Sequence, residues 1–365
     1  MTTSTPVGPA AQETAQDKTM DMMDEPSRAM NNMTNNMTNQ ATEGGQSLKQ
    51  DEGRWRADDA RSTAAPTNVG MLGLSHEAVR FYTDAMRVLQ RANIPFMVGG
   101  AYALHAYTGI TRHTKDFDIF LLPCDVHAGL AAFEAAGYRT KMQADYWLAK
   151  VFDGESFVDL IFASGNGVAR VDEVWLEQAR EAEVFGMRVK LIPPEEMIWS
   201  KGFIMERERY DGADVEHVLL RLAGQLDWNR LIARFGENWR VLLSALVLFG
   251  FIYPGQRHRV PAWVMDKLLG RAQSEAHTSA PDERVCNGTM LSRQQYLVDV
   301  CEWGFKDGRL VHGYMTPEQI EEYTAAINKD GSPLEPERLH HLEHELHEKL
   351  ERDVPAPTDS SSDSR

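Results

Sequence analysis

The sequence is poor in cysteine and has no long apolar run. It contains only Cys124, Cys286 and Cys301, an odd number with no Cys-x-x-Cys pair, and this usage predicts reduced thiols in a cytosolic protein. The longest apolar run, residues 241–253, is interrupted by a serine and a glycine and is too short to span a bilayer. The N-terminus shows no basic segment followed by an apolar one. We therefore expect a cytoplasmic protein without a membrane partner.

Basic residues are also scarce. The 365 residues include 38 Lys and Arg against 54 Asp and Glu, a formal net charge of −16 at pH 7. This balance argues against a protein whose main task is to grip a nucleic-acid backbone, although it leaves room for a local basic groove. With 42% hydrophobic and 25% charged residues, the chain has a globular composition and the length for two domains plus tails.

Aromatic and branched aliphatic residues are almost missing from residues 1–72. This segment has a single aromatic residue, Trp55, and contains the low-complexity stretch NNMTNNMTNQ at residues 31–40. Such a composition cannot bury enough apolar surface to offset the entropy lost on ordering the chain. We predict a disordered N-terminal tail, and a second one over the Asp/Ser-rich residues 353–365.

The densest chemical pattern lies in residues 96–122, FMVGGAYALHAYTGITRHTKDFDIFLL. A short apolar run breaks at Gly99-Gly100, a helical segment follows, and a second apolar run carries Asp116 and Asp118. Residues i and i+2 share one face of a strand about 7 Å apart, so the two carboxylates converge on one point. Unpaired, they would repel each other and one would take up a proton. A divalent cation, Mg²⁺ or Mn²⁺, is the simplest way to keep both ionised.

Two interpretations of this stretch stay open. Acidic residues at a strand end commonly cap a turn or face solvent, and an isolated Asp-x-Asp pair fits that interpretation. The Gly-Gly pair favours the other one, because glycines at a strand-to-helix turn let backbone N–H groups approach a phosphate, and a helix N-terminus favours negative charge. Phosphate at one end and metal at the other predict a nucleoside triphosphate site.

A third carboxylate lies in a predicted β-hairpin. Two apolar runs, residues 146–152 and 157–162, flank the Gly-containing loop 153–156, a pattern typical of a hairpin. The second run, FVDLIF, contains Asp159, and an aspartate in the middle of an apolar strand is costly to bury unless it is paired or binds a metal. The alternative is that Asp159 only satisfies a neighbouring turn.

The stretch VGGAYALHAYTGITRHTKDFDIFL resembles the signature of the DNA polymerase beta-like nucleotidyltransferases, in which Gly-Gly or Gly-Ser precedes an Asp-hydrophobic-Asp strand. Its RHTKDFD segment, from Arg112 to Asp118, is similar to the nucleotidyltransferases of type IV toxin–antitoxin and abortive-infection systems. The resemblance covers residues 75–225. It continues in PPEEMIWSKGFIMERERYDGADVEHVL, which is similar to the closing segment of the same enzymes.

The resemblance implies roles for individual residues. Asp116 and Asp118 would hold two Mg²⁺ ions that bridge the triphosphate, and Asp159 would bind the metal beside the attacking hydroxyl. Lys201 is either a phosphate-binding cation or the ion-pair partner of Asp211 or Asp214, which would only hold its helix in place. The positions implied to bind the nucleotide are Gly99, Gly100, Arg112, Thr114 and Lys201.

The fold expected from these patterns is α+β. We predict a nucleotidyltransferase domain over residues 73–224, with a small mixed sheet that is flanked by helices and presents the metal site at its edge. Apolar and aromatic residues at helical spacing predict a mainly helical domain over residues 225–352. Its last predicted helix, residues 336–352, carries three histidines on one face. They fit a solvated Glu/His helix better than a metal site.

The expected activity is transfer of a nucleoside monophosphate from an NTP to a hydroxyl, with Mg²⁺ or Mn²⁺ as cofactor. The acceptor is open: an RNA such as tRNA, a protein side chain or a small molecule. The alternative is a non-catalytic nucleotide-binding or antitoxin-like module that uses the same pocket only to bind a ligand or dock a partner. The presence of all three carboxylates favours the enzyme, because a decayed site would be expected to have lost one.

Overall fold

The computed structural model describes residues 74–112, 114 and 116–324. The predicted tails, residues 1–72 and 353–365, and the predicted histidine-bearing helix, residues 336–352, lie outside these residues.

Seven of the described strands form one mixed sheet. They are β1 (Met97–Val98), β2 (Asp116–Phe120), β3 (Arg139–Ala144), β4 (Leu148–Asp153), β5 (Ser156–Ile161), β6 (Arg180–Val184) and β7 (Met187–Leu191). Their order across the sheet is β3-β4-β5-β2-β1-β7-β6. β2 runs parallel to β5 and antiparallel to β1, while β1 runs parallel to β7. The mixed sheet and the β4–β5 hairpin were predicted, but the two outermost strands, β3 and β6, were not.

Helices flank the sheet and dominate the rest of the described chain. They are α1 (His76–Arg91), α2 (Gly100–Thr108), α3 (Val126–Ala135), α4 (Glu173–Gln178), α5 (Pro194–Gly202), α6 (Gly212–Leu222), α7 (Trp228–Phe235), α8 (Trp239–Ile252), α9 (Ala262–Ala276), α10 (Leu297–Cys301), α11 (Gly308–Val311) and α12 (Pro317–Thr324). Two short strands, β8 (Val285–Cys286) and β9 (Lys306–Asp307), pair with each other in parallel. The α+β class with a mainly helical C-terminal region is confirmed. The predicted boundary after residue 224 stays a prediction; Leu219 and Leu231, on either side of it, belong to one hydrophobic core.

The central strand β2 is anchored through its apolar face. Phe117 is fully buried, and its ring stacks on Tyr82 of α1 and meets the edge of Tyr102 of α2, each at a centroid distance of 4.9 Å. Burying one such aromatic ring stabilises the fold by roughly 1.5–3 kcal/mol. Because side chains alternate along a strand, this anchor turns the neighbouring residues Asp116 and Asp118 to the opposite face.

Within the described chain, one helical stretch, Trp228–Ile252, is long and apolar enough to cross a membrane by length and composition. This is a weak indication, since core helices of soluble proteins have the same properties. The stretch is interrupted at Gly236, whose φ of 48° and ψ of −119° end α7, and Leu231, Trp239 and Phe249 are buried in the core. The cytoplasmic location and the lack of a membrane partner stay predictions.

Candidate active site

β2 places two carboxylates on one face of the sheet. Asp116 and Asp118 are half-buried and alternate with the buried residues Phe117 and Ile119. β2 lies in the middle of the sheet. The site is therefore on central strands and not at the sheet edge, where it was expected.

The turn between β1 and α2 closes against Asp118. The Gly99 N–H donates a hydrogen bond to the backbone carbonyl of Asp118 at 2.9 Å. Gly100 has a φ of 53°, and a Cβ at this position would lie 1.7 Å from Oδ2 of Asp118. A Cβ at Gly99 would lie 2.2 Å from the Phe120 ring. Neither position has room for a side chain, so the glycine pair brings the N-terminus of α2 against the carboxylate.

β5 brings the third carboxylate next to the first two. Asp118 and Asp159 are direct partners in the parallel pairing of β2 with β5, and adjacent strands lie about 4.8 Å apart. On the far side of β5, Lys150 of β4 stands opposite Asp159, with its Nζ 2.6 Å from Oδ1. The structure therefore gathers the three predicted aspartates and adds Lys150, which was not among the predicted site residues.

Burial and neighbouring charges raise the pKa of two of the carboxylates, Asp118 and Asp159. Burial, followed by the charges of Asp159 and Asp116, raises the pKa of Asp118 to about 6. Burial also raises the pKa of Asp159, and the hydrogen bond and charge of Lys150 offset this effect only in part. The site thus carries negative charge that a bound cation would stabilise.

A cluster of charged side chains on and near α5 and α6 borders the carboxylates. Lys201 places its Nζ 2.5 Å from Oδ2 of Asp211 and 2.9 Å from Oδ2 of Asp214. Arg209 donates to both carboxylate oxygens of Asp211 at 2.9 Å, and Arg112 forms an ion pair with Asp214. Lys201 therefore makes both of the ion pairs that the structural interpretation predicted.

This charged cluster acts on the carboxylates of the sheet. The charges of Lys201 and Arg209 work to lower the pKa of Asp118. Burial acts to raise the pKa of Asp211, but the hydrogen bond of Arg209 and the charge of Lys201 outweigh it and hold that pKa at about 2. Asp211 is thus ionised at neutral pH and fixes both cations near Asp118. A phosphate contact by Lys201 stays a prediction.

Thr114 closes the turn that leads into β2. Its hydroxyl donates to the Asp116 carbonyl at 3.1 Å and accepts from the Asp116 N–H at 3.2 Å. These bonds set the start of the strand, and so the position of the first carboxylate. The nucleotide contacts implied for Thr114 and Arg112 stay predictions.

The donor set fits one hard cation. Mg²⁺ prefers oxygen ligands, and proteins commonly hold it with one or two carboxylates while substrate phosphates and waters complete its shell. Asp116 and Asp118 meet this requirement. Across residues 74–112, 114 and 116–324, no group of three or more His, Cys, Asp or Glu side chains is arranged to hold a metal. Oδ1 of Asp159 accepts from Lys150, and the role of Asp159 as a third metal ligand stays a prediction.

Comparison with known proteins gives one family match, over residues 78–235, to a family described as nucleotidyl transferase of unknown function. The solution structure of the antibiotic-resistance factor ANT(2'')-Ia is similar, with 20% identity, coverage of 46% of this chain and 96% of that one, and a TM-score of 0.35. The lincosamide antibiotic adenylyltransferase LnuA, bound to lincomycin, has 13% identity, coverages of 40% and 96%, and a TM-score of 0.29. An antigenic nucleotidyltransferase-like protein from Paracoccidioides brasiliensis has 16% identity, coverages of 47% and 93%, and a TM-score of 0.29. No curated protein matches the chain.

Proposed function

We propose that this chain, whose residues 78–235 match a nucleotidyl transferase family, moves a nucleoside monophosphate from an NTP to a hydroxyl group, using Mg²⁺ or Mn²⁺. The observation that carries the proposal is the placement of three aspartates on neighbouring positions of two adjacent central strands, beside a glycine turn. Asp116 and Asp118 are the proposed metal ligands, and Asp159 is the third carboxylate of the site.

The part of the site proposed to bind the NTP combines carboxylates with backbone N–H groups. A divalent cation on Asp116 and Asp118 would neutralise part of the triphosphate charge and stabilise the departing pyrophosphate. The first N–H groups of α2 lack acceptors within the helix, and no side chain caps them. They supply partial positive charge for a phosphate beside Asp118. Gly100 permits this approach because it has no side chain.

The charged cluster on α5 and α6 can still attract a triphosphate although its members pair with each other. Three cations, Arg112, Lys201 and Arg209, face two carboxylates, Asp211 and Asp214. One positive charge is left in excess, and the ion pairs hold the cations in fixed positions. Cations that are fixed before the substrate binds lose little conformational entropy when a phosphate reaches them.

The acceptor end is assigned to Asp159. Its carboxylate lies across from Asp118 and lowers the cost of removing the proton from the attacking hydroxyl. The hydroxyl belongs to an RNA, a protein side chain or a small molecule, and the experiment below separates these acceptor classes.

The test incubates the full-length chain with each labelled NTP in turn, with Mg²⁺ or Mn²⁺, and with cell extract. We expect label in one of the RNA, protein or small-molecule fractions. Asp116→Asn and Asp118→Asn should each lower transfer at least about 100-fold, since losing about 3 kcal/mol of transition-state stabilisation has that effect. The matched control is Asp153→Asn, an exposed carboxylate in the hairpin turn of the same sheet. Wild-type transfer by the Asp116/Asp118 double variant would refute the assignment.

A second candidate function is a nucleotide-binding module without catalysis. The observation that favours it is the pairing of Asp159 with Lys150 and of Lys201 with two aspartates, which compensates these charges inside the chain. Binding of labelled NTP that depends on Asp116 and Asp118, with no transfer to any fraction, would support this function over the enzyme.

A further inference from the structure

Lys150 is held by two contacts next to the proposed site. Its Nζ lies 2.6 Å from Oδ1 of Asp159 and 4.1 Å from the centroid of the Phe157 ring. Phe157 and Asp159 are two residues apart on β5 and so share one face. The side chains of Lys150 and Asp159 are only 21% and 14% exposed, so water screens this pair less than a surface ion pair.

The pairing of the strands places this lysine in line with the carboxylates. Lys150, Asp159 and Asp118 are successive partners across β4, β5 and β2, with about 4.8 Å between neighbouring strands. Asp159 therefore has an ammonium on one side and a carboxylate on the other. A divalent cation bound to Asp159 would lie close to the ammonium and would be repelled by it.

The charge balance points the same way. Counted apart from the neighbouring cluster of Arg112, Lys201 and Arg209, the three carboxylates carry three negative charges, and Lys150 with one divalent cation supplies three positive charges. Asp116 and Asp118 remain as metal ligands from the chain, while Asp159 already has a cationic partner.

We propose that Lys150 is the built-in cation of Asp159 and supplies the positive charge that a second divalent cation would otherwise bring, so that the site binds one divalent cation and not two. Lys150 is thus a positioning residue: it orients Asp159 through Oδ1 and does not itself contact the reacting groups. The proposal rests on the proposed function, because it presumes that Asp116 and Asp118 form the metal site.

The test counts Mn²⁺ ions bound to the full-length chain, using the electron paramagnetic resonance signal of the free ion with Mn²⁺ alone as the probe. Wild type should bind one Mn²⁺ per chain. Lys150→Met removes the charge at similar length and should raise the count to two, since Asp159 becomes available as a ligand. Lys150→Arg keeps a cation and should restore the count of one.

Two further variants extend the test, and the first of them keeps it decisive if Lys150→Met fails to fold. Asp159→Asn should leave the wild-type count at one, because Asp159 is not a ligand while Lys150 holds it. The Lys150→Met/Asp159→Asn double variant should return to one. The matched control is Lys141→Met: Lys141 is exposed on β3 directly opposite Lys150, so its loss removes a nearby positive charge without freeing Asp159.

Two results would overturn the proposal. One is a wild-type count of two that falls to one in Asp159→Asn, which would make Asp159 a metal ligand. The other is a count of one in folded Lys150→Met, which would show that the charge of Lys150 does not substitute for a second divalent cation. Failure of the proposed function gives a different result, because Mn²⁺ would then still bind when both Asp116 and Asp118 are replaced by Asn.

Discussion

Glu216 is a buried carboxyl group on α6 for which the described residues provide no ion-pair partner. Its side chain is 2% exposed, and neither carboxylate oxygen has a hydrogen-bond partner within the described residues. Burial raises the pKa of Glu216 from 4.5 to about 8, because the ionised form loses its hydration and gains no partner in return. At neutral pH the folded chain therefore holds a proton on Glu216 that the unfolded chain has released.

This proton makes stability depend on pH with a defined sign. Between pH 4.5 and about 8 the folded state binds more protons than the unfolded state, so the free energy of unfolding falls as pH rises. The slope from this one group is about 1.4 kcal/mol per pH unit, and the loss levels off above pH 8 at no more than about 5 kcal/mol. Below the unfolded pKa both states are protonated and Glu216 adds no pH dependence.

Glu216→Gln tests this reasoning because it keeps the shape of the side chain and removes its titration. Relative to wild type, the variant should gain stability as pH rises from 5 to 8, by a few kcal/mol at the upper end. For a domain of this size each kcal/mol raises the melting temperature by about 2–4 °C. Thermal unfolding from pH 5 to 8.5 measures the difference, with exposed Glu208→Gln as the control. Parallel pH profiles of wild type and Glu216→Gln would refute the uncompensated burial.

Three other predictions concern packing and charge around the site and beyond it. Gly100→Ala should lower stability more than Gly109→Ala and should also weaken Mn²⁺ binding. Both glycines have positive φ, which alone costs about 1–3 kcal/mol in a residue with a side chain. Only at Gly100 would the added Cβ also clash with a carboxylate. Equal losses in thermal unfolding would argue against the clash. Asp307→Ala should destabilise by about 3–5 kcal/mol in urea unfolding, since it leaves the fully buried Arg309 unpaired, and a change below about 1 kcal/mol would contradict this. Lys201→Met should lower the melting temperature because it removes one of the two cationic partners of each of Asp211 and Asp214. A loss of NTP affinity at unchanged stability would instead make it a phosphate ligand.

Charge explains which strands could be predicted from the sequence. β2 and β5 lie inside the sheet, and their buried positions recur every second residue, so their apolar runs predict strands directly. The outermost strands, β3 with Arg139 and Lys141 and β6 with Glu181 and Glu183, are rich in charge. Charged residues on edge strands prevent pairing with other chains, and they also interrupt the apolar runs from which the inner strands were predicted.

The glycine pair lies at the predicted strand-to-helix turn, but phosphate binding is only part of the reason for glycine at these positions. The sequence pattern connects Gly99-Gly100 with phosphate binding through the helix N-terminus. In the structure both glycines are also required by the chain itself, because Phe120 and the Asp118 carboxylate occupy the space of their side chains. This contact joins residues about 20 positions apart across two strands, and no local pattern contains it.

The two strand pairings that build the site have their register set in different ways. This difference decides which contacts between site residues could be predicted from the sequence. In the hairpin, the pairing of Asp153 with Ser156 at the loop places Lys150 opposite Asp159. This pairing follows from the predicted loop alone, because a hairpin turn fixes the register of its strands. The parallel pairing of Asp118 with Asp159 has no turn to set it and depends on how β2 packs into the whole sheet. The Lys150–Asp159 pair is thus a local product of the hairpin, whereas the carboxylate cluster forms only in the complete sheet, where Lys150 already accompanies Asp159.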